Sequence, residues 1–203
     1  AFDSYEKLAE FVESDNPILN KLGLIVKTRN GITKARMILD TKQSQVKLIT
    51  SQAQRVILPR LFDAILQLLL LLSLMMEGNF QEVEGFVLDF SDAFWQIPIH
   101  PAEQKYFCAT GYIDGKRKWL AFLRSPQGSS AAPTLWGRLM SLLSRLTQAL
   151  FPPSAARLVC YVDDPLAALM GTAAERKMFA AVMILVWTAL GFKLAFSKGQ
   201  LSQ

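Results

Sequence analysis

Two groups of acids in this chain have the residue types and placement for metal-dependent chemistry. Asp163 and Asp164 stand side by side between two apolar runs, Leu158-Val159-Cys160-Tyr161-Val162 and Pro165-Leu166. The first run is β-branched and aromatic, which predicts a strand and puts the acids at the tip of a β-hairpin. A second cluster, Asp89-Phe90-Ser91-Asp92, follows another strand-like run, Gly85-Phe86-Val87-Leu88. If one sheet holds both strands, the clusters meet at its edge and can share a metal. Taken alone, Asp163-Asp164 also reads as a solvated turn, because Asp bonds its own backbone there.

Magnesium is a hard cation that takes a few carboxylates together with substrate phosphates. Phosphoryl transfer is one chemistry that uses two such ions about 3.5–4 Å apart, one activating the attacking oxygen and one steadying the leaving group. Asp89 and Asp163 are the expected ligands of both Mg2+ ions, with Asp164 as an auxiliary acid. Mn2+ suits the same oxygen donors.

The elements that position these acids are legible from periodicity. Residues 4–14 space Tyr5, Leu8, Phe11 and Val12 for a short amphipathic helix ended by Pro17. Leu22-Gly23-Leu24-Ile25-Val26 predicts a strand, Asn30-Gly31 a two-residue turn, and 35–39 the returning strand. That hairpin carries Lys27, Arg29, Lys34 and Arg36 as a cationic flap. Residues 40–51 are polar and irregular, and Pro59 opens a leucine-rich helix to Met76 that Glu77-Gly78-Asn79 stops. A strand over 86–89 follows, with Ser91 or Asp92 capping a short helical turn. Strands are expected at 97–99 and 106–112, with Asp114-Gly115 turning into a strand at 119–123. After Pro126-Gln127-Gly128, residues 133–150 predict a long helix with Leu135, Leu139, Leu142, Leu143 and Leu146 on one side. Pro152-Pro153 ends it, the acidic hairpin follows, and a helix over 173–190 is closed by Gly191. A last strand over 192–196 leads to Lys198. The pattern is α+β. From Phe86 onward it fits a split βαβ (ferredoxin/RRM-like) antiparallel sheet backed by two long helices.

The 203 residues are 51% hydrophobic, enough for a sizeable core and apolar for a soluble domain. A fragment whose apolar faces are covered by another domain has this composition. A net charge of +5 favours a polyanionic partner such as nucleic acid. The basic clusters, including Lys116-Arg117-Lys118, read equally as solvated turn faces. Cys108 and Cys160 sit in apolar runs, as buried thiols do in a reducing compartment. No cysteine or histidine spacing suggests zinc, and His100 lies in a Pro-flanked surface turn. The apolar run over 65–76 falls short of the roughly 18 residues that a membrane span needs. With no secretory start either, the expectation is an intracellular protein, cytoplasmic or nuclear, not secreted and without a membrane partner.

Tyr161-Val162-Asp163-Asp164 resembles the YxDD signature of reverse transcriptases, and Asp89-Phe90-Ser91-Asp92-Ala93-Phe94 resembles their first catalytic-acid motif. The resemblance runs in order from about Leu22 to Lys198. Arg36 with Asp40 resembles the R-x-x-x-D element, which implies that Arg36 holds the incoming triphosphate and that Lys27 or Arg29 reaches its terminal phosphate. Asp92 and Ala93 match positions whose backbone N–H groups face that triphosphate, and Phe94 matches the gate that excludes a ribose 2′-hydroxyl. Pro126-Gln127-Gly128 resembles the P-Q-G element, with Gln127 beside the nucleotide sugar and Gly128 supporting template and primer. Gly191-Phe192 with Lys198 resembles the motif whose lysine is the general acid for pyrophosphate. Pro165, directly after the second hairpin acid, departs from the family pattern.

The resemblance implies the fingers and palm of a right-hand polymerase. Fingers are expected over 1–84, with a palm helix starting near 59–76, and again over 99–130; palm is expected over 85–98 and 131–203. The family's thumb is expected to be absent. The implied activity is RNA-directed DNA synthesis, adding deoxynucleotides to a primer 3′ end, in a fragment of a retrotransposon or retrovirus-like polyprotein. Implied partners are an RNA or DNA template with primer, dNTP, and the thumb and RNase H domains of the parent chain. The alternative is an inactive retroelement remnant that serves as a nucleic-acid-binding module. An RNA-dependent RNA polymerase would share the acids, but Phe94 at the gate position counts against it.

Overall fold

The structure is a computed structural model that describes residues 1–29, 31–50, 55–76 and 81–202, without the side chains of 29, 32, 75, 76, 201 and 202. The tip residue Asn30, the helix stop Glu77-Gly78-Asn79 and the side chain of Arg29 lie outside the described residues. In chain order the elements are α1 (Tyr5–Phe11), β1 (Leu19–Arg29), β2 (Ile32–Asp40), α2 (Val46–Ile49), α3 (Leu61–Met76) and β3 (Val83–Val87). They continue with β4 (Cys108–Ile113), β5 (Lys116–Ala121), α4 (Ala132–Gln148), β6 (Ala156–Tyr161), β7 (Asp164–Met170), α5 (Ala173–Ala189) and β8 (Gln200–Ser202). The chain forms two compact units, one of residues 1–54 and 94–135, the other of 55–93 and 136–203.

The first unit is built on a four-stranded sheet in the order β2-β1-β4-β5. Its two hairpins are antiparallel, and the start of β1 joins them by pairing parallel with β4 at Leu19 and Asn20. Asn20 is buried at that junction, where its amide donates to the carbonyls of Tyr106 at 2.9 Å and Cys108 at 3.0 Å. The β4–β5 turn passes through Asp114 and Gly115, both at positive φ, as a two-residue hairpin requires. Helix α1 is capped by the Ser4 hydroxyl and buries Leu8 against Val12 and Cys108. A second cluster holds Leu39, Ile99, Ala109 and Phe122.

Two local expectations are corrected in this unit. Residues 97–99 form a single bridge, Pro98 with Arg124, because Pro98 has no N–H to continue a ladder. Within 40–51 the chain makes one helical turn, α2, which buries Val46.

The second unit runs α3-β3-α4-β6-β7-α5-β8, and its sheet has the all-antiparallel order β6-β7-β3-β8. This is the split βαβ order that the sequence pattern predicts. Phe86 on β3 pairs with Ala167 on β7, and its ring stacks 6.5 Å from Trp187 of α5. Val159 and Leu166 point to the opposite face by the alternation of strands, and there they line a cavity with Leu61 and Ala64 of α3. The sheet therefore carries helices on both faces, with α3 opposite α5.

Helix α5 opens with a reciprocal capping box between Thr172 and Glu175 and ends before Gly191 at φ 85. Its buried stripe is Arg176, Ala180, Met183 and Trp187. In α4 the buried stripe is Trp136, Met140, Leu143 and Thr147, while Leu135, Leu142 and Leu146 are exposed. The leucine row read along one side of this helix is thus mostly on the outside. The strand expected over 192–196 is also corrected. That segment crosses the end of β3, where Ser91 N donates to Lys193 O at 2.9 Å and Ala195 N to Asp89 O at 2.8 Å, and the pairing strand β8 comes later.

Candidate metal centre

Strand β3 ends at Val87, and the chain beyond it stays tied to its neighbours. Leu88 N donates to Pro165 O at 3.3 Å and Phe90 N to Asp163 O at 3.0 Å. With the Ala195 bond to Asp89 O, backbone bonds on both sides fix the first acid against the acidic hairpin. Register pairing of Tyr161 with Asp164 closes that hairpin with the two-residue loop Val162-Asp163. Val162 sits at φ 56, a conformation that a β-branched side chain resists. Its carbonyl accepts from the indole Nε1 of Trp136 at 2.7 Å.

These bonds bring Asp89, Asp163 and Asp164 together, with a carboxylate oxygen from each within 4.8 Å of the others. Asp89 is only 4% exposed, Asp163 is half-buried and Asp164 is exposed. Two unit charges at 4.8 Å repel by about 3 kcal/mol at an effective dielectric of about 20. The cluster therefore calls for a cation, and the Lys198 ammonium supplies one by pairing with Asp89 Oδ2. Burial and the charge of Asp163 push the Asp164 carboxyl above the usual carboxylate range. Burial first, then the two acids, push the Cys160 thiol up to about 12. A group of three carboxylates is a hard, all-oxygen donor set, and it fits a hard divalent cation such as magnesium or manganese.

The remaining predicted residues divide between the units. Asp92 is exposed at φ 51, and Ala93 is buried at the start of a 3-10 turn, Ala93–Gln96. Phe94, half-buried in that turn and counted with the first unit, accepts at its carbonyl from Ile97 N at 3.1 Å. In the first unit, Gln127 O accepts from Leu39 N at 2.8 Å, and Gly128 O accepts from the Thr41 hydroxyl at 3.2 Å. The P-Q-G element is thereby fastened to the end of the strand that carries Arg36. Register pairs Lys27 with Lys34 and Ile25 with Arg36, so Lys27, Lys34 and Arg36 share one exposed face of the β1–β2 hairpin.

Sequence reasoning missed Trp136. The residue is fully buried, and its ring packs edge-on to Phe90 at 5.6 Å and Phe192 at 6.2 Å. Its only sequence signal is an aromatic at a helical core position, which says nothing of the acceptor its N–H reaches.

The model of the family "Reverse transcriptase (RNA-dependent DNA polymerase)" matches residues 25–202. The chain is also similar to the Gag-Pro-Pol polyprotein of squirrel monkey retrovirus, 28% identical over 123 residues, which is 58% of this chain. It spans 6% of that polyprotein's length. With a family match that extends over most of its length, this chain belongs to the reverse transcriptase family.

Proposed function

We propose that this chain is the fingers and palm of an RNA-directed DNA polymerase, adding deoxynucleotides to a primer 3′ end on an RNA or DNA template. The observation that carries the reading is the three-carboxylate group formed by Asp89, Asp163 and Asp164 on the split βαβ sheet. In this reading residues 1–84 and 99–130 are the fingers and 85–98 and 131–203 the palm, so the first unit is mostly fingers and the second mostly palm. Asp89, Asp163 and Asp164 would hold two divalent cations, Mg2+ or Mn2+, which would supply activation of the primer hydroxyl and neutralisation at the leaving pyrophosphate.

The chain's own residues do the rest. Burial of Asp89 keeps water from competing for its carboxylate. Lys198, whose ammonium pairs with Asp89, is the group that would donate a proton to the leaving pyrophosphate. Arg36, with Lys27 or Arg29, pairs with the triphosphate, and the backbone N–H groups of Asp92 and Ala93 donate to it. Phe94 leaves no room for a 2′-hydroxyl, Gln127 packs beside the sugar, and Gly128 lets the backbone close on β2. Template and primer are gripped by backbone and shape, so sequence is read by base pairing. The flanking domains of the parent polyprotein, among them a thumb and an RNase H domain, are the expected protein partners. A reducing intracellular compartment suits the two free thiols, Cys108 and Cys160.

The test is primer extension on poly(rA)–oligo(dT) with magnesium, run beside a template-binding assay. Incorporation of dTTP falls to background in Asp89→Asn and Asp163→Asn while both still bind template. Parallel loss of activity and binding in these variants overturns the metal-ligand assignment. A wild-type chain that binds template and incorporates nothing, even with the downstream coding sequence restored, overturns the polymerase in favour of an inactive remnant.

A further inference from the structure

We propose that Trp136 is a positioning residue for the acidic turn: its indole N–H holds Val162 in the left-handed conformation that sets Asp163 against Asp89. The inference rests on the metal-centre reading above and deepens it. Val162 at φ 56 is a strained, β-branched residue in the loop position where glycine is favoured. Such strain persists only where the surroundings over-determine it.

Three contacts do so here. Tyr161 and Asp164 are locked in register on either side, Phe90 N bonds Asp163 O at 3.0 Å, and Trp136 Nε1 bonds Val162 O at 2.7 Å. The first two hold the ends of the loop, whereas the third bears on the strained residue itself. The Cys160 thiol also approaches Val162 O, at 3.6 Å, as a weaker donor.

Relaxing Val162 to a negative φ reorients its peptide group and takes the acceptor away from Trp136. The indole N–H is fully buried, so losing its partner carries the full desolvation cost of an unsatisfied donor. The relaxed turn is penalised and the strained one held. The indole in turn is fixed by the segments that carry the other site residues. Phe90 adjoins Asp89, and Phe192 leads into the stretch whose Ala195 N bonds Asp89 O. One ring thus registers the hairpin acids against the first acid.

A double-mutant cycle tests this on the full chain. Trp136→Phe keeps an aromatic ring but removes the donor, and Val162→Gly removes the strain because glycine takes positive φ freely. In the Val162→Gly background Trp136→Phe is expected to lower the folding equilibrium constant in urea about tenfold, the size of one net hydrogen bond, because the carbonyl of residue 162 is still there to lose its donor. In the wild-type background the same change is expected to cost less than about threefold, since the freed turn relaxes and the released strain offsets the lost bond. Equal costs in both backgrounds overturn the proposal and leave Trp136 as ordinary core. Mn2+ titration followed by electron paramagnetic resonance gives the second readout. Trp136→Phe weakens binding about tenfold, and Val162→Gly in that background restores it. Wild-type-like Mn2+ affinity in Trp136→Phe overturns the positioning role. A wild-type chain that binds no Mn2+ overturns the metal-centre reading instead, and the urea cycle still decides whether Trp136 holds the turn.

Discussion

Gly128 is a position where one added methyl group meets backbone. Its φ is 102, and a Cβ built there would lie 2.1 Å from the Leu39 carbonyl oxygen and 2.9 Å from the Ile38 side chain. Leu39 lies in the paired strand β2, so the loop must give way. Gly128→Ala is expected to destabilise the chain by roughly 2–5 kcal/mol, combining backbone strain with overpacking. Urea unfolding measures this, and a cost below about 1 kcal/mol would show that the loop shifts freely. Asp164 gives a second prediction with opposite sign. Its carboxyl is raised above the ordinary 3.8, so between that value and its folded pKa the folded state holds more protons than the unfolded. Stability contributed by this group is therefore lost as pH rises through that window. Asp164→Asn should melt slightly above wild type at pH 7 without divalent cations, and the difference should vanish well below pH 3.8, where both side chains are neutral. A variant that melts lower at pH 7 would refute the destabilising charge. The acids were legible in the sequence because charge between apolar runs is conspicuous, and Lys198 only through the resemblance of its motif. The strain of Val162 and the Trp136 bond were not, because backbone φ and the partner of an indole N–H leave no trace in residue type.

Helix α5 and strand β3 are joined by charge. Arg176 is 2% exposed, and its guanidinium bonds Glu84 Oε2 and Glu82 Oε2 at 2.9 Å each and the Gly171 carbonyl at 2.5 Å. Glu84, whose side chain is only 13% exposed, is the partner that matters most. The bond to Glu84 leads, with Glu82 adding to it, in raising the arginine's pKa. The cluster fixes the start of β3, and the far end of that strand leads to Asp89. Arg176→Ala strands a desolvated carboxylate and is expected to cost roughly 3–5 kcal/mol, whereas Arg176→Met with Glu84→Leu should recover most of the loss. Urea unfolding of the three chains decides it, and a cost near that of a surface pair, about 0–1 kcal/mol, would mean that Glu84 resolvates. At this scale the sheet order was readable, since tight hairpins and helix-length crossovers leave few topologies. The buried face of α4 was not, because leucines lie on both sides of the helix and periodicity cannot rank them against Trp136. Strand β8 escaped for a related reason: Gln200, Leu201 and Ser202 have no apolar alternation, and pairing with β3 alone makes them a strand.

Across the whole molecule the net charge of +5 is spread along the chain rather than gathered in a tail. On the β1–β2 hairpin, Lys27 and Lys34 are direct register partners, and like charges placed opposite each other weaken a strand pair. An anion between them relieves that repulsion, so the hairpin gains from binding phosphate. If template and triphosphate are held this way, affinity is governed by counterion release and depends on salt more than on sequence. The logarithm of the template–primer association constant should fall linearly with the logarithm of salt concentration. Lys27→Ala and Lys34→Ala should each lower the magnitude of that slope by about one for every phosphate contact removed. Both variants should lose affinity by the same factor on unrelated templates, since a phosphate contact carries no base information. Fluorescence anisotropy from low to physiological salt measures both effects. A slope unchanged in both variants would remove the hairpin from the nucleic-acid surface and leave its paired lysines as a cost without a binding role. A loss that depended on template sequence would mean that the hairpin reads bases, which the exposed lysine ammonium groups, as point charges on flexible stems, are poorly built to do.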